Sequence, residues 1–426
     1  MNIDFQKTSL SNGLRLVTCP MPESQSVSIM IFCGAGSRFE DKRTNGISHF
    51  LEHMLFKGTI KRPTLLDLST SIDGIGGEFN AFTAKDHTAY YIKCLPNHID
   101  TALDILTDMV LHSRFSEKDI ATERGVILQE IAMYEDLPQR RVVDKFESLI
   151  YSGSKLAWDI IGTPQSVAKI TRHDFVEYTA AYYHPHSLLL SIAGNFSPSK
   201  AHTLAQKFLG SLRTNFQKPL PPHDFFVQNK PQLTIINKKT EQTHLILGWH
   251  GYPLGHPNRF AEEVLAALLA GPMSSRLFQE IREKRGLAYY VKSHIDRLQD
   301  TGYFAIHTGV KIKSSKEAIK IIINESLKLA KNPPEPKELQ VFKEWVKGIL
   351  TLGLEDSIEK ARHYGEHELL EEKIETVDEI KKGIDKVTPD DIKTLARELF
   401  VNQNLNLALI GPHEPNDQNI TKALNI

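Results

Sequence analysis

Ile170-Thr-Arg-His-Asp-Phe175, followed by Ser187-Leu-Leu-Leu-Ser-Ile-Ala-Gly194, occurs twice in this chain of 426 residues. The second copy is Val387-Thr-Pro-Asp-Asp-Ile392 with Asn404-Leu-Asn-Leu-Ala-Leu-Ile-Gly411, Thr388 standing 217 residues beyond Thr171 and Asn404 the same distance beyond Ser187. A threonine three residues ahead of an aspartate reads as a helix start, because each side chain can satisfy a backbone N–H near the other. The apolar run after it reads as a short strand closed by glycine. Upstream, Val27-Ser-Ile-Met-Ile-Phe32 has a counterpart in Thr243-His-Leu-Ile-Leu-Gly248, and both strands lead into a helix that ends at Gly58 or Gly271. A repeat of this length is a duplicated domain, not a solenoid unit.

The expected fold class is therefore α+β: two homologous α/β sandwich domains, each a mostly antiparallel sheet with helices packed on one side. The first spans residues 1–217 and the second 233–426, with the Pro-rich segment 218–232 as linker. A chain of this length exceeds one ordinary core, which agrees with two domains. Lys and Arg number 51 against 52 Asp and Glu, a net charge of −1 that provides no general attraction to nucleic acid or to an anionic membrane. No apolar run is long enough to span a bilayer. Cys19, Cys33 and Cys94 show no ligand spacing and read as buried thiols in a reducing compartment. With no basic-then-apolar leader in Met1–Leu10, the expected address is cytoplasmic.

Chemistry concentrates in Gly46-Ile-Ser-His-Phe-Leu-Glu-His-Met-Leu-Phe-Lys-Gly58. On a helix His49 and His53 lie one turn apart, so both imidazoles leave the same face, with Glu52 beside them. Phe50, Leu51, Met54 and Leu55 fill the rest of the turn, and three ionisable groups in one greasy helix are costly to bury unpaired. A divalent cation removes that cost. The same loose string recurs as His363-Tyr-Gly-Glu-His367, but there Arg362, Glu368, Glu371 and Glu372 surround it and Gly365 interrupts it, the look of a solvated helix. The second half also lacks the pair: aligning Gly58 with Gly271 puts Glu262, Leu265 and Ala266 at the places of His49, Glu52 and His53.

Catalytic zinc usually takes three protein ligands, so two histidines are an incomplete set. Glu123 and Glu130, seven apart on a helix that Ser116 and Asp119 would cap, share a face, though either alone reads as an exposed helix glutamate. Asn80-Ala-Phe-Thr83 belongs to an alternating segment that reads as a hairpin turning near Lys85-Asp86. Arg282-Glu-Lys-Arg-Gly-Leu-Ala-Tyr289 reads as a charged helix end, a glycine turn and a strand.

The 46–58 segment resembles the inverted zinc signature of the pitrilysin family, which includes the mitochondrial processing peptidases and insulin-degrading enzyme. In that family a third ligand, a glutamate, stands 77 residues beyond the second histidine, and here that place is Glu130. The resemblance implies one Zn2+ per chain on His49, His53 and Glu130, with Glu52 as general base and Glu123 supporting catalysis. It implies that Asn80, Ala81, Phe82 and Thr83 form a sheet edge to which a peptide adds as a further strand, as in β-augmentation. It assigns Arg282 and Tyr289 to the substrate backbone. In short two-domain relatives that pair comes from a partner subunit, which implies a homodimer closing as a clamshell around a chamber. The expected function is a zinc-dependent, processing-peptidase-like endopeptidase acting on unfolded or short peptides. The alternative is a non-catalytic peptide-binding or structural subunit of the same fold, although every motif residue is present. A zinc deaminase would want cysteine ligands, and the three cysteines offer none.

Overall fold

The computed structural model describes residues 4–213 and 228–424; most of the expected linker lies outside them. Both capping boxes are present. Thr171 and Asp174 open the helix Arg172–Tyr182, and Thr388 and Asp391 open Pro389–Leu399. Each helix feeds the expected strand, Leu188–Gly194 or Leu405–Gly411, in which all seven residues are buried.

The first sheet comprises β1 (Gln6–Ser9), β2 (Arg15–Pro20), β3 (Val27–Cys33), β4 (Glu78–Thr83), β5 (Thr88–Cys94) and β6 (Leu188–Gly194). Their spatial order is β1-β2-β6-β3-β5-β4, antiparallel except where β2 runs parallel to β6. The second comprises β7 (Gln232–Asn237), β8 (Gln242–His250), β9 (Ala288–Arg297), β10 (Gly302–Lys311) and β11 (Leu405–Gly411). Its order is β7-β11-β8-β10-β9, with one parallel pairing, β11 with β7. Two mixed, mostly antiparallel sheets packed with helices are thus the architecture. Among the described residues no helix is long and apolar enough to cross a membrane.

Helices cover both faces of each sheet, not one as expected. Val27, Ile29, Ile31 and Cys33 of β3 face one apolar core, while Met30 and Phe32 face another. Strands buried on both sides read as near-continuous apolar runs, which is the pattern of Leu188–Gly194 and Leu405–Gly411 apart from the buried Ser191 and Asn406. The second cover of the first sheet is the helix Ser357–Glu371, which sends Ala361, Tyr364 and Leu369 against Val17, Cys19, Met30, Phe32 and Leu189. The corresponding cover of the second sheet is Pro138–Ile150, whose Val142, Phe146 and Ile150 meet Ile246, Tyr303, Ala305, Ala408 and Ile410. The two compact units are consequently discontinuous. One lies within Met1–Ile131, Trp158–Pro222 and Thr351–Thr376, the other within Ala132–Ala157, His223–Leu350 and Val377–Ile426. A single division at the Pro-rich segment misses this exchange, in which each half of the sequence lends the other one covering helix.

The helix carrying the second His-x-x-Glu-His string is therefore not solvated all round. Its buried residues Ala361, Tyr364, Gly365, Glu368 and Leu369 keep helical spacing, a stripe disguised by a glycine and a glutamate. Glu368, with no exposed side-chain surface, is paired with Lys7 at 2.8 Å and Arg15 at 3.3 Å, and Glu366 lies 3.5 Å from His87. Gly365 lets the helix press on the sheet, since a Cβ there would come within 2.3 Å of the Phe32 ring. Gly365→Ala is expected to destabilise the protein by about 1–3 kcal/mol through overpacking, measured by denaturant unfolding. A wild-type midpoint would contradict the close packing.

Candidate metal centre

The helix Ile47–Leu55 begins at Gly46, whose φ of +96° favours glycine and where a Cβ, were there one, would strike the Ile161 carbonyl. In place of the usual small polar cap, the carboxylate of Glu40 accepts from the Gly46 N–H at 2.7 Å, the Ser48 N–H at 2.9 Å and the Asn45 amide at 2.9 Å. An acid at a helix N-terminus satisfies otherwise orphaned donors and opposes the helix dipole. Burial pushes the Glu40 carboxyl up to about 7, against the pull of those donors. Phe50, Leu51, Met54 and Leu55 are fully or almost fully buried, which fixes the helix's rotation and leaves His49, Glu52 and His53 on one side. The helix ends at Leu55, earlier than expected, and the chain then turns through Gly58 at φ +128°.

Glu123 and Glu130 come from the helix Glu117–Glu135, which Ser116 opens by accepting from the Asp119 N–H at 3.2 Å. Nε2 of His49 and Nε2 of His53 lie 3.7 and 3.6 Å from the same Glu130 oxygen, Oε2. One ligand atom from each of the three residues lies within 4.8 Å of the others. Among the described residues this is the one such group of three or more His, Cys, Asp or Glu. The separations are too long for hydrogen bonds. They are close to the edge of a tetrahedron whose corners sit at zinc–ligand distances, roughly 3.4 Å.

The outer contacts fit a metal as well. Nδ1 of His53 lies 2.8 Å from Glu123 Oε1, which fixes the tautomer with N–H on Nδ1 and leaves the Nε2 lone pair towards Glu130. Lys57 reaches the other Glu123 oxygen at 2.5 Å. Burial alone would raise the Glu123 carboxyl, but the hydrogen bonds from His53 and Lys57 outweigh it and hold it below the usual carboxylate range. Burial would depress His53, yet the hydrogen bond to Glu123 and the neighbouring carboxylates keep it above the usual imidazole value. Glu52 is raised by burial and by Glu130, opposed by a hydrogen bond from Thr83 and by His53. Lys57 was missed in the sequence: it lies just past the end of the helix at Leu55, where no helical spacing ties it to His53, and only its contact with Glu123 brings it to the site.

The other expected site residues divide between the units. β4 is the terminal strand of the first sheet, so Asn80–Thr83 do form a sheet edge. Asn80 turns its side-chain oxygen onto the Ala81 N–H at 2.9 Å. Phe79 and Ala81 pack into the core beneath the metal-site helix, and Phe82 packs on the opposite face. Lys85 and Asp86, at the expected turn, are buried, Asp86 by a 2.7 Å bond from Arg38. Arg282 and Tyr289 lie in the second unit and hold each other: Nη1 of Arg282 donates to the Tyr289 carbonyl at 2.8 Å, and the guanidinium sits 4.9 Å from the rings of Tyr289 and Phe278. Tyr289 itself is 75% exposed.

Residues 15–164 match the model of the insulinase family, peptidase family M16, and residues 169–344 match that of the peptidase M16 inactive domain. The chain belongs to peptidase family M16. Within M16 it is 38% identical over 413 residues to YmxG, an uncharacterized zinc protease of Bacillus subtilis, covering 96% of this chain and 98% of that one. It is 35% identical to an uncharacterized zinc protease of Rickettsia felis, over 97% of this chain and 99% of that one. A protease from Helicobacter pylori has the same fold, with a TM-score of 0.91 at 23% identity over 96% of this chain and 99% of the other.

The second domain, matched by the M16 inactive-domain model, buries a different charged group in the corresponding helix. Glu262, the residue that the glycine alignment sets against His49, is fully buried and paired at 2.7 Å with Arg297, whose guanidinium also meets Glu263 at 2.7 Å. Arg297 ends β9 opposite Gly302, as Thr83 ends β4 opposite Thr88. A fixed side-chain cation thus compensates the buried acid of the second copy, a pair whose partners are each expensive to remove alone.

Proposed function

We propose that this M16 chain is a zinc-dependent endopeptidase, processing-peptidase-like, that hydrolyses unfolded or short peptides. The observation that carries the reading is the orientation of His53: its Nδ1 is committed to Glu123, so its Nε2 joins His49 and Glu130 around one point. Zinc bound by His49, His53 and Glu130 supplies an acidified water and positive charge for the oxyanion. Glu52, next to His53 and three residues past His49 on the same helix, takes the proton of the attacking water and passes it to the leaving amine. The free edge of β4 holds the substrate main chain as an added strand, reading extended conformation more than side chains. Arg282 and Tyr289, already paired, present donors to the substrate backbone. In this reading the chain works in the cytoplasm as a homodimer, each copy bringing its Arg282–Tyr289 pair to its partner's metal.

The test is mass spectrometry of products from a peptide library, with and without a zinc chelator. Internal cleavage that the chelator abolishes and added zinc restores supports the reading. Stoichiometric zinc without any chelator-sensitive cleavage would instead favour the non-catalytic subunit.

A further inference from the structure

Thr83 lies on the edge strand by its main chain, but its side chain turns onto a face of the sheet. Strand alternation puts it on the same side as Phe79 and Ala81, towards the helix Ile47–Leu55. There its hydroxyl donates to Oε2 of Glu52 at 2.6 Å. Its backbone closes the β4–β5 hairpin opposite Thr88, and the Thr88 hydroxyl is itself anchored to the Ala35 carbonyl at 2.9 Å. The hydroxyl therefore sits on a strand end held from behind by the sheet. We propose that Thr83 is the positioning residue of the catalytic base: it holds one oxygen of Glu52, so that the other is aimed at the water, and it ties that aim to the strand on which substrate is laid.

The inference rests on the peptidase reading for its kinetic consequence but not for its structural one. A glutamate has three rotatable side-chain bonds, and a donor fixed at one oxygen removes most of that freedom before substrate arrives. Because β4 is the terminal strand of its sheet among the described residues, an added peptide strand would stiffen it. Stiffening β4 stiffens the donor, and through it the base. Peptides that pair along β4 would then be cut faster than equally tight ligands that do not, which makes extended conformation a requirement of turnover as well as of binding.

Thr83→Val keeps the β-branched shape and removes the donor, while Thr83→Ser keeps the donor. With zinc confirmed at one per chain in all three proteins, Thr83→Val is expected to lower kcat by roughly tenfold to a hundredfold, the order that a misplaced catalytic group costs. KM and the dissociation constant of a non-cleavable peptide should stay within about twofold, and Thr83→Ser should recover most of kcat. In crystals of Thr83→Val the Glu52 carboxylate should leave the position it holds in the wild type. A wild-type kcat in Thr83→Val overturns the proposal. So does a loss confined to KM and peptide affinity, which would make Thr83 a substrate contact, or an equal loss in Thr83→Ser. An unmoved Glu52 carboxylate overturns it whether or not the wild type cleaves peptides, whereas a zinc-loaded wild type without hydrolysis counts against the peptidase reading alone.

Discussion

Glu52→Gln is expected to keep one zinc ion per chain and to lose at least about a hundredfold in kcat, the usual scale of a general acid–base contribution. Glutamine has nearly the same shape, and its amide oxygen can still accept the Thr83 hydroxyl that lies 2.6 Å from Oε2. What it cannot do is take a proton. Glu52 is not among the three residues that converge as ligands, so the metal content should not change. Metal analysis alongside cleavage of a quenched peptide separates the two effects. Hydrolysis retained at the wild-type rate would remove Glu52 from its role as base and leave another group to be found.

His53→Ala carries a larger penalty, because it should remove metal and turnover together. Its Nε2 is one of the converging ligand atoms, and its Nδ1 is the contact that joins Glu123 to the site. A ligand that binds only the folded state stabilises it by about 2.7 kcal/mol at a hundred times its dissociation constant. Zinc added to the metal-free wild type should accordingly raise Tm, and the same addition to metal-free His53→Ala should not. Glu123 keeps Lys57 as a partner after the substitution, so it is not left as a buried, uncompensated carboxylate. A zinc-dependent Tm rise of wild-type size in the variant would sink the ligand assignment.

The parts of this architecture that could be read in the sequence are those carried by short-range rules. Thr171 with Asp174 and Thr388 with Asp391 announce their helices from three residues away, and the runs ending at Gly194 and Gly411 announce their strands. The pairing of His49 with His53 needs only the helical repeat. Glu130 is different: its spacing from His53 matches a family pattern, but no local rule prefers it to any other helix glutamate. The exchange of covering helices was not legible, because the stripe from Ala361 to Leu369 passes through Gly365 and Glu368. Glu368 looks like a solvent residue until Lys7 and Arg15, from the far end of the chain, are seen to neutralise it. The Glu52–Thr83 bond was hidden for a related reason. Alternation shows which way Thr83 points, but only the packed helix shows what it meets.

The borrowed helices bear on why a half without metal ligands persists at all. A gene cut after residue 213 would encode every proposed zinc ligand, yet its product would leave Val17, Cys19, Met30, Phe32 and Leu189 open to water. Apolar ground of that kind is an aggregation hazard, so the truncated product has no soluble future unless the missing piece is supplied in trans. Loss of the downstream half by deletion would therefore strip the first sheet of one of its covers, which gives the copy without the His pair a structural reason to stay, whatever else it contributes.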